Sequence, residues 1–108
     1  MNINNDILVD FENIQWENPE PGVRYKAFVR GNQRLRLLDF LEGFEEKEWC
    51  IKGHAAYVID GEFCLYFKEG VSRLKAGDIA FIPAGEEYGH KAILGKGENV
   101  RLLLFEII

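Results

Sequence analysis

The hydrophobic and polar positions of this chain alternate in short blocks, and turn residues separate the blocks. Arg24-Tyr25-Lys26-Ala27-Phe28-Val29-Arg30 alternates loosely, as a strand with one wet and one dry face does. Gly31-Asn32 supplies a turn, and Arg34 to Leu41 resumes the extended pattern. Ala56-Tyr57-Val58-Ile59 and Glu62-Phe63-Cys64-Leu65-Tyr66-Phe67 flank Asp60-Gly61, which predicts a hairpin closed by a type I′ turn. Glu69-Gly70 marks the next turn, ahead of Val71-Ser72-Arg73-Leu74. Gly77-Asp78 opens Ile79-Ala80-Phe81-Ile82, and Pro83-Ala84-Gly85 closes it. Tyr88 to Leu94 reads as a further strand, Gly95-Lys96-Gly97 as a turn, and Val100 to Ile107 as the last strand. Short strands at this spacing, with no long helical period among them, predict an all-β barrel or sandwich.

The first 22 residues break this rhythm. Asp10 to Ile14 predicts one helical turn with Asp10 as its cap, and Pro19-Glu20-Pro21-Gly22 reads as irregular. The chain therefore divides into an N-terminal arm, 1–22, and a barrel, 23–108. The arm is expected to lie across the barrel or a neighbouring subunit, anchored by Trp16.

Composition narrows the classes of function. A length of 108 residues supports one domain, and 47% hydrophobic with 29% charged residues describes a globular chain. Eighteen acidic against thirteen basic residues give a net charge of −5, which argues against binding nucleic-acid phosphates. The longest apolar run, Leu102-Leu103-Leu104-Phe105, is far below the ~20 residues that span a bilayer. Met1 to Asp6 lacks the basic start and apolar stretch of a signal peptide, so a cytoplasmic location is expected. Two cysteines, Cys50 and Cys64, are too few for a disulfide framework, and Cys64 is expected in the core. Two histidines, His54 and His90, exclude a three-histidine metal site within one chain.

The turn residues carry a family likeness. Gly77, then five residues, Pro83, Ala84 and Gly85 match the opening of the second cupin motif, and Tyr57-Val58-Ile59-Asp60-Gly61 matches the end of the first. From residue 23 to 107 the sequence resembles the cupins, which implies a jelly-roll β-barrel. The resemblance places the first-motif histidines on Glu48 and Cys50, the glutamate on His54, the second-motif histidine on Tyr88 and the asparagine that can follow on Ala92. His90 lies two residues beyond Tyr88. No usual ligand keeps its identity, yet Glu48, Cys50, His54 and His90 can all donate to a metal.

Strand parity adds to this reading, because 48 and 50 share a face, as do 88 and 90. The expected metal ligands are Cys50, His54 and His90, with Glu48 as a further donor or as the catalytic base, and Tyr88 as a wall of the pocket. A thiolate with two imidazoles suits Zn²⁺ best, and Fe²⁺ or Ni²⁺ less well. Lys52 reads as a surface lysine or as a contact for an anionic ligand, and Trp49 as packed on the outer face or at a subunit contact.

Cupins with a bound metal catalyse oxygenation, isomerisation, decarboxylation and lyase reactions, so the resemblance implies a small-molecule enzyme without choosing its reaction. The alternative is a non-catalytic barrel that holds a metabolite without metal. A homodimer is expected, with the apolar last strand at the contact.

Overall fold

The computed structural model describes residues 7–108. Eight strands account for most of it: β1 (Glu17–Glu20), β2 (Val23–Arg30), β3 (Gln33–Phe40), β4 (His54–Phe67), β5 (Gly70–Lys75), β6 (Ile79–Ile82), β7 (His90–Ile93) and β8 (Val100–Ile107). All pairings are antiparallel, in the order β1-β2-β3-β8-β4-β5, with β6 and β7 also on β4. The sequence places β2, β3, β6 and β8 within a residue or so of where they fall. Among the described residues no helix is long and apolar enough to cross a membrane.

The predicted hairpin at Asp60-Gly61 does not form. β4 runs straight through it as one 14-residue strand. Its first half pairs with β8 and β6, its second half with β5 and β7, so β4 carries the chain from one sheet to the other. A register shift between Val58 and Asp60 marks the corner, and Gly61 there has φ +82°. A Cβ at Gly61 would overlap the Asn99 carbonyl. The Asp-Gly pair thus supplies the positive φ that a bulge demands, and the strand bends instead of reversing.

The N-terminal arm also differs from expectation. Phe11–Asn13 forms a 3-10 turn, but the Asp10 side chain makes no capping bond to its backbone. Glu17–Glu20 pairs with β2 as an edge strand, where Pro19 leaves no central ladder bond unmade. Trp16 does anchor this end: Arg24 and Lys26 lie 4.1 and 4.9 Å from its ring centroid. Met1 to Asp6 lie outside the described residues.

The core sits between the sheets. Val58, Phe63, Leu65, Ala92, Leu94 and Leu102 are buried there, and β8 shows the reason in its own alternation. Val100, Leu102, Leu104 and Glu106 point in, while Phe105 and Ile107 point out and are exposed. The outer face of β8 is therefore uncovered within the chain. Cys64 faces away from the core, contrary to expectation, because Phe63 and Leu65 take the inward positions on either side of it. Its sulfur accepts a hydrogen bond from Arg73 Nη1 at 3.2 Å.

Candidate metal centre

Two short segments bring the chemistry together. Cys50 and His90 face each other across an isolated antiparallel bridge, with Cys50 N–H donating to the His90 carbonyl (2.8 Å) and His90 N–H to the Cys50 carbonyl (3.0 Å). Reciprocal bonds of this kind put both side chains on the same side of the pair. His54 enters from the first residue of β4, opposite Ile82. Gly53 permits this start, since a Cβ there would stand 2.7 Å from the Ala84 nitrogen. The His54 and His90 rings meet edge to face with centroids 5.0 Å apart. One donor atom from each of Cys50, His54 and His90 lies within 4.8 Å of the others, and this trio is the group of three or more such donors among the described residues.

Burial and mutual contact set the protonation of the three donors: Cys50 and His54 are shifted toward the metal-binding form, while His90 holds its proton more tightly. His90 Nδ1 donates to the Tyr88 carbonyl at 2.9 Å, because that oxygen can only accept. Its Nε2 is left for Cys50 or for a metal. Burial alone would lower the His90 pKa, but its bonds with Cys50 and the Tyr88 carbonyl outweigh that and raise it. The same bond to His90 lowers the Cys50 pKa against the opposing effect of burial. Burial, with the charge of His90 next, lowers His54 to about 4, so its imidazole is neutral at pH 7. His54 Nδ1 is buried without a hydrogen-bond partner. Such an orphan is uncommon in a folded interior and fits a donor set that closes around an ion.

The trio lines an interior cavity of about 210 Å³. Phe63, Leu65, Leu102 and Leu104 form its apolar wall, while Tyr25, Arg36 and Glu46 add polar groups. Glu46 is the site residue the sequence reading missed. Its backbone N–H donates to the Ala92 carbonyl (3.0 Å), and its Oε1 accepts from Ala92 N–H (2.8 Å). Burial raises its pKa above the ordinary carboxylate value.

Glu48, in contrast, is exposed and lines a separate outer recess with Glu45 and Lys47, apart from the trio. Glu45 opposes Ile93 and Cys50 opposes His90, so four residues on one side span what two span on the other. The surplus loops out at a bend over Lys47-Glu48, and simple alternation from Cys50 back to Glu48 fails. Tyr88 is a second correction. It ends a 3-10 turn, Glu86–Tyr88, before β7 begins, so it shares no strand face with His90. Its side chain is 40% exposed beside Lys68 and Glu69, outside the cavity, and only its carbonyl serves the site. The one sign of both shifts was the donor set itself: Glu46 and His90 each stand two residues from the position the resemblance assigns.

No family model matches this chain, and no curated protein matches its sequence. Solved structures do. An RmlC-like cupin from Shewanella frigidimarina superposes with a TM-score of 0.76 at 20% identity, over 92% of this chain and 87% of its own. The chain has the cupin fold. The polyketide cyclase RemF from Streptomyces resistomycificus gives 0.77 at 19% identity, over 90% and 75%. KdgF from a Halomonas species gives 0.71 at 20% identity, over 93% and 91%. At these identities the likeness is one of fold, and the cupin expectation drawn from the turn residues holds at that level.

Proposed function

We propose that this cupin-fold chain binds one divalent metal through Cys50, His54 and His90, and acts on a small polar metabolite inside the barrel. The observation that carries the reading is the convergence of three soft or borderline donors within 4.8 Å on the wall of an interior cavity. Thiolate and imidazole favour Zn²⁺, with Fe²⁺ and Ni²⁺ as weaker fits. These three residues would hold the ion, which would supply Lewis acidity toward a substrate carbonyl or a bound water. The chain's own residues complete the site. Tyr88 holds His90 in one tautomer through its carbonyl, Cys50 is predisposed to the thiolate, and the apolar wall excludes water. Glu46, a buried carboxyl with a raised pKa, takes the acid–base role the sequence reading gave Glu48.

Reconstitution of the purified chain with Zn²⁺, Fe²⁺ and Ni²⁺ in turn, followed by metal analysis, tests this. About one equivalent is expected for Zn²⁺, and thermal stabilisation by Zn²⁺ is expected to vanish in the double variant His54→Ala/His90→Ala. Less than about a tenth of an equivalent of every metal would leave the non-catalytic metabolite-binding barrel as the better reading.

We also propose that two copies pair through the outer face of the first sheet. Leu37, Leu103, Tyr57 and Ile79 lie abreast on β3, β8, β4 and β6, and Leu35, Phe105, Ala55 and Phe81 form the next row. Phe81 is 83% exposed and Ile79 66%. The two rows, with Ile59 and Ile107 at their ends, leave a contiguous apolar face uncovered, and such a face marks an interaction surface. In the proposed pair a two-fold axis through the face would set each row against its counterpart, the self-complementary arrangement of two identical chains.

A further inference from the structure

We infer that the molecule bound in the barrel is a small organic carboxylate, held through Arg36 at a cationic vestibule. This deepens the reading of the cavity as a small-molecule site and is independent of the metal. A second recess, of about 340 Å³, lies on the outer side of the trio. Arg36, Cys50 and His54 line both it and the interior cavity, so a ligand seated at the trio touches the vestibule wall. The remaining lining includes Arg34, Lys52, Trp49 and Glu106.

Charge is the telling feature. The chain carries −5 overall, yet this recess gathers three cations, Arg34, Arg36 and Lys52, around one carboxylate. Glu106 accepts from both arginines: Arg36 Nε and Nη2 at 2.7 and 3.1 Å, Arg34 Nε and Nη2 at 3.2 and 3.2 Å. One carboxylate neutralises only one of the two. Among the described residues neither Arg34 Nη1 nor Arg36 Nη1 has a hydrogen-bond partner, and Lys52 makes no ion pair. Glu106 fixes the arginines in place, and the Arg36 guanidinium is also backed by the Tyr25 ring at 5.0 Å. A guanidinium held this way pays little ordering entropy when an anion docks on its open edge. Glu20 and Glu46 line the cavity but not the recess, so the excess positive charge is confined to the vestibule.

Size and polarity set the rest of the ligand. The interior cavity falls below the ~300–1,000 Å³ of pockets for drug-sized ligands, and its far wall is aliphatic and aromatic. The shape calls for a charged head at Arg36 and a tail of a few carbons toward Leu102 and Leu104.

Butyrate and its neutral isostere butyramide test the inference, by chemical-shift perturbation of backbone amides in the metal-free and Zn²⁺-loaded 108-residue chain. Butyrate is expected to shift the signals of residues 34–36 and 50–54 in both forms, with at least tenfold tighter binding than butyramide. Arg36→Gln is expected to abolish that preference. Because this variant also strips a partner from Glu106, the exposed Lys52→Gln serves as a second probe, expected to weaken butyrate about twofold and leave butyramide unchanged. Equal binding of the acid and the amide overturns the carboxylate assignment while the small-molecule reading stands. Absence of shifts with either compound overturns both. Methyl phosphate binding more tightly than butyrate overturns the choice of carboxylate as the head group.

Discussion

His90 Nδ1 donates to the carbonyl of Tyr88, two residues back along the chain, at 2.9 Å. This one bond fixes the tautomer of a histidine that is 2% exposed, and it leaves the other ring nitrogen as the one available to Cys50. The residue that supplies the carbonyl contributes nothing else to the site, so its identity as tyrosine is immaterial there. Substitution of Tyr88 by Phe should leave metal content unchanged, which a metal assay on the purified variant checks.

The Cys50 thiol should ionise more readily than an ordinary one. In a Cys64→Ser background, the thiolate absorbance of metal-free protein should reach its midpoint below the ordinary cysteine value. His90→Ala removes the leading cause and should return the midpoint upward. Identical midpoints in the two proteins would show that the Cys50–His90 bond does not act as described.

Glu46 takes a hydrogen bond from Ala92 N–H that nothing else is placed to take. Glu46→Ala should cost about 1–3 kcal/mol through the unsatisfied buried amide. Glu46→Gln keeps an acceptor there and should cost far less. Urea unfolding of the two variants separates these outcomes.

Stability should fall on the acid side through Glu106 and Asp39. For Glu106, burial raises the pKa, but the hydrogen bonds from Arg36 and Arg34 outweigh it and the net shift is downward. For Asp39, burial is likewise overcome by Arg101 and Arg24. A carboxyl whose folded pKa is depressed contributes stability above its unfolded value, near 4.5 for Glu and 3.8 for Asp. That contribution is lost as pH falls through the folded value. Glu106→Gln should lower stability at pH 7 by about 2 kcal/mol or more and flatten the acid limb of the profile. Thermal unfolding from pH 7 to pH 3 gives both numbers.

Gly61→Ala should destabilise the fold by about 2–4 kcal/mol, because alanine meets both a positive φ and the Asn99 carbonyl. Gly31→Ala is the control: its φ is also positive, at +60°, but a Cβ there meets nothing within 4 Å. The difference between the two midpoints in denaturant isolates the cost of the close approach.

Phe81→Glu should convert the proposed dimer to a monomer, read by sedimentation velocity at micromolar concentration. Phe81 touches neither the cavity nor the trio, so ligand and metal binding should persist in the variant. A wild-type chain that sediments as a monomer would remove the pairing proposal.

Local signals were enough for four of the strands, and the turn residues for the family likeness that implied the fold. Alternation places β2, β3, β6 and β8, since each buries one face and a period of two is all that requires. Gly77, Pro83 and Gly85 mark the ends of β6 because their backbone chemistry allows little else. The sequence also named Cys50, His54 and His90, as they are the scarce donors in a chain with two histidines and two cysteines. It could not show that Asp60-Gly61 bends a continuous strand, because the same positive φ serves a hairpin or a bulge, and only the pairing of β4 with four neighbours decides between them. Nor could it show that Glu46, not Glu48, lines the cavity, or that the Tyr88 side chain falls outside it. Those assignments turn on two surplus residues looped out opposite β7 and on a 3-10 turn that delays the strand, and register is a property of two paired segments, not of either one alone.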